Sequence, residues 1–152
     1  MNTNKTILIT GASSGIGKAA ALHLDELGFT VFAGVRKEAD AEALKADASQ
    51  QLTPIFLDVA QTKSIIAAVE EVRAATKGNL YGLINNAGLS LNSPLEIIPL
   101  EDIQQLFQVN VIGLLALTKA VLPMIRASQG RIINISSGHG LLAIPDKAVY
   151  AA

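Results

Sequence analysis

Apolar residues recur along this chain in two alternating rhythms. Short, nearly unbroken apolar runs predict strands buried on both faces; apolar positions three and four apart predict helices between them. Lys5 to Thr10, rich in Ile and Thr and bounded by Gly11, reads as a first strand. Gly15 to Leu27 places Ala19, Leu22, Leu24 and Leu27 at helical spacing, and Gly28 supplies a C-terminal stop. Thr30 to Val35 is a second strand, and Lys37 to Gln50 an Ala-rich, charged helix with a weak apolar face. Pro54 to Val59 is a third strand, with proline at the first position, where a strand tolerates it. Thr62 is the expected N-cap of a helix through Lys77, and Leu80 to Asn85 is a fourth strand. Leu100 to Ala127 is a long helix, expected to bend or end near Pro123. Arg131 to Ser136 is a fifth strand, Ser137 to Lys147 a loop, and a new helix is expected near Ala148.

This alternation predicts an α/β fold whose parallel sheet is covered on both faces and whose crossovers are right-handed. The arrangement is a Rossmann-type, doubly wound sheet of order 3-2-1-4-5. No repeat, low-complexity segment or linker divides the chain, so residues 1–152 are one domain with room for a sizeable core.

Composition narrows the function classes. Half the residues are hydrophobic but only 4% are aromatic, so Ala, Leu, Ile and Val must build the interior. Twelve basic against thirteen acidic residues argue against nucleic acid or an anionic membrane as main partner. The absence of cysteine excludes a disulfide, a thiol nucleophile and a Cys-ligated metal, and no metal site is expected. The polar start Met1-Asn2-Thr3-Asn4-Lys5 is not a signal peptide, and no apolar stretch is expected to span a membrane. A cytoplasmic location is expected.

The chemistry begins at Thr10-Gly11-Ala12-Ser13-Ser14-Gly15-Ile16-Gly17. Gly11 permits a turn that a Cβ would forbid. Gly15 and Gly17 let backbone approach a pyrophosphate and let the helix pack on the strand. Amides at the helix N-terminus then face the anion. A structural turn would also use glycine, but this cluster follows a strand and opens a helix, as nucleotide binding requires. Asn85-Asn86-Ala87-Gly88 follows the fourth strand, and Asn110-Val111-Ile112-Gly113 puts an amide inside an apolar helix. Ser137 lies thirteen positions before Tyr150.

In combination these motifs resemble the short-chain dehydrogenase/reductase family, in its simple single-domain branch, and the likeness runs from Lys5 to Ala152. Pro94-Leu95-Glu96 and Phe107-Gln108-Val109-Asn110 are closest in flavour to retinol and hydroxysteroid dehydrogenases. The resemblance implies cofactor contacts from Gly11, Ser13, Ser14, Gly15, Ile16 and Gly17, and from Asn86, Ala87 and Gly88 along the cofactor. It also implies that Asp58, with Val59 beside it, contacts the adenine; a helix-initiating aspartate is the equal alternative. The family's acidic, NAD-selecting position falls on Val35, and Arg36 follows, where a guanidinium can grip a 2′-phosphate. NADP is therefore expected rather than NAD, although Ser14 stands where many NADP-using relatives carry a second basic residue.

Reducing a carbonyl needs hydride to carbon and a proton to oxygen. A tyrosine hydroxyl can give the proton, and a neighbouring lysine favours the phenolate. By resemblance Tyr150 is the acid/base, Ser137 hydrogen-bonds the substrate oxygen, and Asn110 holds a water in a proton relay. Ser136 is the neighbour one place off register, His139 reads as a solvated loop residue, and His23 has no assigned role. The substrate is a small-molecule alcohol or ketone. Leu89, Leu91, Leu95, Leu141, Leu142 and Ile144 would either line its pocket or simply pack.

The family's Tyr-x-x-x-Lys places a lysine at position 154, two beyond Ala152. Relatives continue with that lysine, two more strands and a loop that closes over substrate. The full-length form is expected to be a homodimer or homotetramer. The chain as given is expected to leave the fifth strand as an edge bearing three isoleucines, and to self-associate. A non-catalytic nucleotide-binding remnant is the competing reading, with an isomerase or dehydratase on the same fold behind it.

Overall fold

The structure, a computed structural model, describes residues 5–142 and 144–152. The polar start through Asn4, and Ala143, lie outside the described residues. Five parallel strands form one sheet in the order β3-β2-β1-β4-β5. They are β1 (Thr6–Ile9), β2 (Thr30–Val35), β3 (Leu52–Phe56), β4 (Gly82–Asn85) and β5 (Arg131–Asn134). Helices α1 (Gly15–Glu26), α2 (Glu38–Asp47) and α3 (Thr62–Thr76) connect the first four strands. A helical run comprising α4 (Leu100–Phe107), a π-helical segment (Gln108–Gly113) and α5 (Leu114–Ala127) leads into β5. A 3-10 turn (Gly138–Gly140) and the short α6 (Ala148–Ala151) follow.

Alternation along the strands divides the core in two. On one face Ile9, Val31, Ala33 and Val35 join Ala21, Ala41 and Leu44 of α1 and α2. On the other, Leu8, Phe32 and Leu83 meet Val69 and Val72 of α3 and Leu117 and Val121 of α5. The first face is built largely from alanine and valine, which brings α1 close to the strand ends. Asp25 is buried in α1, and its carboxylate accepts hydrogen bonds from the Ser49 amide (2.7 Å) and hydroxyl (2.6 Å). That pair ties α1 to the turn before β3, a link that pattern reading does not foresee.

Three local expectations need correction. Pro54 sits in the middle of β3, opposite Ala33, not at its start. The Leu57 amide bonds Val35 at 2.9 Å, and N–H direction alternates along a strand. Position 54 therefore turns its nitrogen to the open edge, where a missing donor costs nothing. Thr62 is the first helical residue of α3 and Gln61 holds the cap position, without a side-chain cap bond. Pro123 lies inside an unbroken α5, where Lys119, whose carbonyl loses its partner, is exposed. The long helix is instead interrupted at the π segment.

The run Leu100–Ala127 is, against expectation, long and apolar enough to cross a membrane by length and composition. Its Val109, Leu117, Val121, Met124 and Ile125 are buried in the sheet core and Leu106 is buried as well, while Leu100, Val111, Ile112 and Leu115 are exposed. β5 forms one edge of the sheet, as anticipated; Ile133 is half exposed and Ile132 packs partly against the core.

Leu83 has no exposed surface at the centre of the sheet, whereas Leu115 on α5 is 57% exposed. Leu83→Ala is expected to lower unfolding free energy by about 2–5 kcal/mol. Leu115→Ala should stay within about 0.5 kcal/mol of the parent. Urea unfolding of both variants checks this; similar losses would mean that the core is misplaced.

Candidate active site

Strand order reverses between β1 and β4, so their C-terminal ends leave a crevice. Thr10 and Asn86 lock its two walls together. The buried Thr10 hydroxyl oxygen accepts from the amides of Asn86 (3.0 Å) and Ala87 (2.8 Å). Asn86 Nδ2 returns bonds to the carbonyls of Thr10 (2.9 Å) and Gly11 (3.1 Å). Gly11 has φ +67°, and a Cβ there would stand 2.9 Å from Ala87 Cα. At Gly17 a Cβ would meet the Gly11 carbonyl oxygen at 2.2 Å and Asn86 Nδ2 at 2.4 Å. Only glycine lets α1 start this close to the strand ends.

Ser14, the N-cap of α1, makes no side-chain cap bond, and the first turn holds no acidic residue. The helix therefore presents backbone donors without a protein anion to meet them, the condition for binding a ligand's anion. A cleft of about 340 Å³ lies in front. Gly11, Ser13, Ser14, Ile16, Gly17, Arg36, Asp58, Val59, Asn86, Ala87 and Gly88 line it. Gly15 does not; its φ is +55°, and no atom lies within 4 Å of where its Cβ would be.

At the end of β2 adjacent residues part ways. Val35 is buried at 2% exposure, while Arg36 is exposed beside the cleft, and no carboxylate among the described residues pairs with it. Asp58 serves the local turn as well as lining the cleft. Its carboxylate accepts from the Ala60 amide (2.9 Å), and its own amide donates to the Ser64 hydroxyl (2.9 Å).

A second hollow of about 560 Å³ shares Ile16 and Asn86, Ala87, Gly88 and Leu89 with the cleft. It holds Asn110, Ser137 and Tyr150 together. The π segment carries Asn110, and wider π turns inside α-helices often mark functional sites. Gly113 makes its packing possible, since a Cβ there would stand 2.2 Å from the Val59 carbonyl oxygen. Asn110 Oδ1 accepts from the Leu89 amide and Nδ2 donates to the Leu89 carbonyl, both at 2.8 Å. Its amide thus grips the loop after β4, and one acceptor and one donor position remain for anything else.

Ser136 also lines this hollow, but Ser137 is the serine engaged there. Ser137 Oγ lies 2.9 Å from His139 Nδ1 and accepts from the His139 amide at 3.2 Å. The His139 ring meets the Tyr150 ring edge-on, centroids 5.5 Å apart. Lys147, at the N-cap of α6, donates to the Ser90 hydroxyl (2.8 Å) and lies 5.2 Å from the Tyr150 ring centre. The Ser93 amide bonds the Asp146 carbonyl at 2.9 Å, a second tie between the same loops. Loop length alone hides these contacts; the spacing of His139 two after Ser137, as in an ST turn, is the one local signal for the first of them.

Of the six apolar residues read as possible pocket lining, Leu89 alone lines either hollow. Leu95, Leu141, Leu142 and Ile144 are exposed, Leu141 to 90%. His23 stands on the exposed side of α1, 3.5 Å from Glu26, away from both hollows. No metal-binding cluster occurs among the described residues.

The short chain dehydrogenase family pattern matches residues 5–152. The chain is 43% identical to the 3-amino-tetrahydro-pyrrolizinone reductase of Xenorhabdus hominickii, over 98% of this chain and 51% of that protein. It is 37% identical to human retinol dehydrogenase 16, over 93% of this chain and 45% of that protein. A gluconate 5-dehydrogenase from Burkholderia cenocepacia, solved with NADP and tartrate, superposes with TM-score 0.85 at 32% identity, covering 97% of this chain and 59% of that one. The chain spans about half the length of the curated relatives it matches. With the sheet order, the glycine crevice and a family match from residue 5 to residue 152, the chain belongs to the short chain dehydrogenase family.

Proposed function

We propose that this chain is the cofactor-binding part of an NADP(H)-dependent oxidoreductase that interconverts an alcohol and a carbonyl, with Tyr150 as acid/base. The observation that carries this reading is the wall that the two hollows share. The wall formed by Ile16 and Asn86 to Leu89 is common to the glycine-lined cleft and to the hollow holding Asn110, Ser137 and Tyr150. A dinucleotide in the first would put its reactive end beside the hydroxyls of the second.

The residues present fit such a cofactor. The uncapped, acid-free start of α1 suits a pyrophosphate, and the glycines leave room for it. Asp58 and Val59 would border the adenine, and Asn86, Ala87 and Gly88 would lie along the cofactor. Arg36, exposed and without a carboxylate partner, would hold a 2′-phosphate; Val35 has no acid with which to select a free ribose hydroxyl. The NADP in the related gluconate 5-dehydrogenase supports the same choice. The bound cofactor would supply the hydride.

The chain's own groups then handle the oxygen. Tyr150 moves a proton at its hydroxyl, and Ser137 orients the substrate oxygen by a hydrogen bond. Asn110 fixes the backbone of Leu89, which lines both hollows. The substrate is a small-molecule alcohol or ketone, and a cytoplasmic homodimer or homotetramer is the proposed working form.

In the whole protein NADPH should bind at least about tenfold more tightly than NADH, because a charge-assisted hydrogen bond contributes roughly 1.5–3 kcal/mol. Arg36→Ala should erase much of that difference. Fluorescence titration of both cofactors decides it, and equal affinities would refute the assignment. Tyr150→Phe should cut turnover of ketones by roughly two orders of magnitude or more, with cofactor affinity little changed. Near-normal turnover would mean that another group is the acid, and absence of turnover in the parent protein would favour a nucleotide-binding remnant.

A further inference from the structure

His139 is absent from the family motif that identifies this site, yet it is the side chain that Ser137 touches. A serine hydroxyl has one hydrogen to give and two lone pairs to offer. The His139 amide occupies one lone pair at 3.2 Å. What remains is one hydrogen and one lone pair, shared between His139 Nδ1 at 2.9 Å and whatever enters the hollow.

The two states of that contact have opposite consequences. When Nδ1 carries no hydrogen, Ser137 donates to it, and only a lone pair faces the hollow. Ser137 can then accept from an alcohol but cannot donate to a carbonyl. When the ring takes up a proton from solvent, Nδ1–H donates to Oγ. Both lone pairs are then occupied and the hydroxyl hydrogen turns to the hollow, where it can meet a carbonyl oxygen. No covalent bond to carbon or oxygen changes; one proton is gained and one hydroxyl rotates.

We propose that His139, carrying its hydrogen on Nε2 when neutral, is a positioning residue that sets the polarity of Ser137, making it a donor to carbonyl ligands when Nδ1 also gains a proton and an acceptor from alcohols when it does not. This rests on the alcohol/carbonyl reading of the site. The 3-10 turn carrying His139 packs on α6, which brings Tyr150 against the ring and Lys147 close to Tyr150. Both lie close to the ring or to its neighbour, so the test must separate them from His139.

Dead-end binding does so in the whole protein with Tyr150→Phe as the background, which removes the tyrosine hydroxyl. Cyclohexanone is titrated against the NADP⁺ complex and cyclohexanol against the NADPH complex, from pH 5.5 to 8.5. Cyclohexanone should tighten about three- to tenfold toward acid and cyclohexanol should weaken over the same range, the size of one hydrogen bond. Adding His139→Ala should flatten both curves. Parallel curves in the background protein, or opposed curves that survive His139→Ala, would overturn the proposal.

A second measurement needs neither substrate nor turnover. In ¹⁵N imidazole spectra of the whole protein, the His139 Nδ1 resonance should shift on Ser137→Ala. An unmoved resonance sinks the proposal even if His139→Ala disturbs folding. Failure of the Tyr150→Phe turnover test, by contrast, leaves the His139–Ser137 contact standing and refutes the acid/base assignment alone.

Discussion

The Thr10–Asn86 lock is the constraint on which the site depends. Two parallel strands that diverge after their last shared hydrogen bonds would ordinarily leave two independent loops. Here four bonds between the ends of β1 and β4 make one rigid edge of them. The glycines matter because of it. Gly17 must lie against both the Gly11 carbonyl and the Asn86 amide, so the start of α1 is held by the same atoms that join the strands. Thr10 is nearly inaccessible, which shields these bonds from competing water and lets a handful of neutral contacts define the floor of a nucleotide cleft.

From that floor the second hollow is built by a chain of grips. Asn110 holds Leu89 from the long helix; Lys147 and Asp146 hold Ser90 and Ser93 from the segment before α6. The loop after β4 is thereby fastened from two sides. The π segment is what permits the first grip, because its wider turn departs from the α-helical register while Gly113 keeps it close to the loop after β3. A local departure from helical ideality is placed where side chains from four elements must converge.

Most of the architecture was legible because burial on both faces leaves a coarse mark. Ile, Val and Leu runs at β1, β2 and β4, punctuated by Gly11, Gly28 and Asn86, admit few other folds. What remained illegible is finer. Pro54 reads as a strand start because sequence alone does not say which way an edge nitrogen points. Thr62 reads as a cap because its hydroxyl could accept an amide, yet the loop is tied by Asp58 and Ser64 instead. The π insertion leaves the apolar spacing of the long helix nearly unchanged, while Pro123, the conspicuous breaker, is absorbed. Of the site, the motif residues were visible and the partners were not. His139 lies only two residues from Ser137, but its role depends on where the turn aims the ring. For Leu141 and Leu142 apolar identity did not decide between lining and packing, and the structure leaves both exposed.

The division of labour at the end of β2 bears on how this chain can change. Val35 is part of the packed layer against α1 and α2, so an acid placed there would be a charge stripped of water among alanines and valines, at a cost of several kcal/mol unless paired. Arg36, one residue on, is open to solvent. Selection for a different nucleotide would therefore find position 35 guarded by folding and position 36 unguarded. A lineage carrying this core can drift at position 36 without passing through unfolded intermediates. The more direct route, an acid at the strand end, first demands that the alanine-rich layer be loosened.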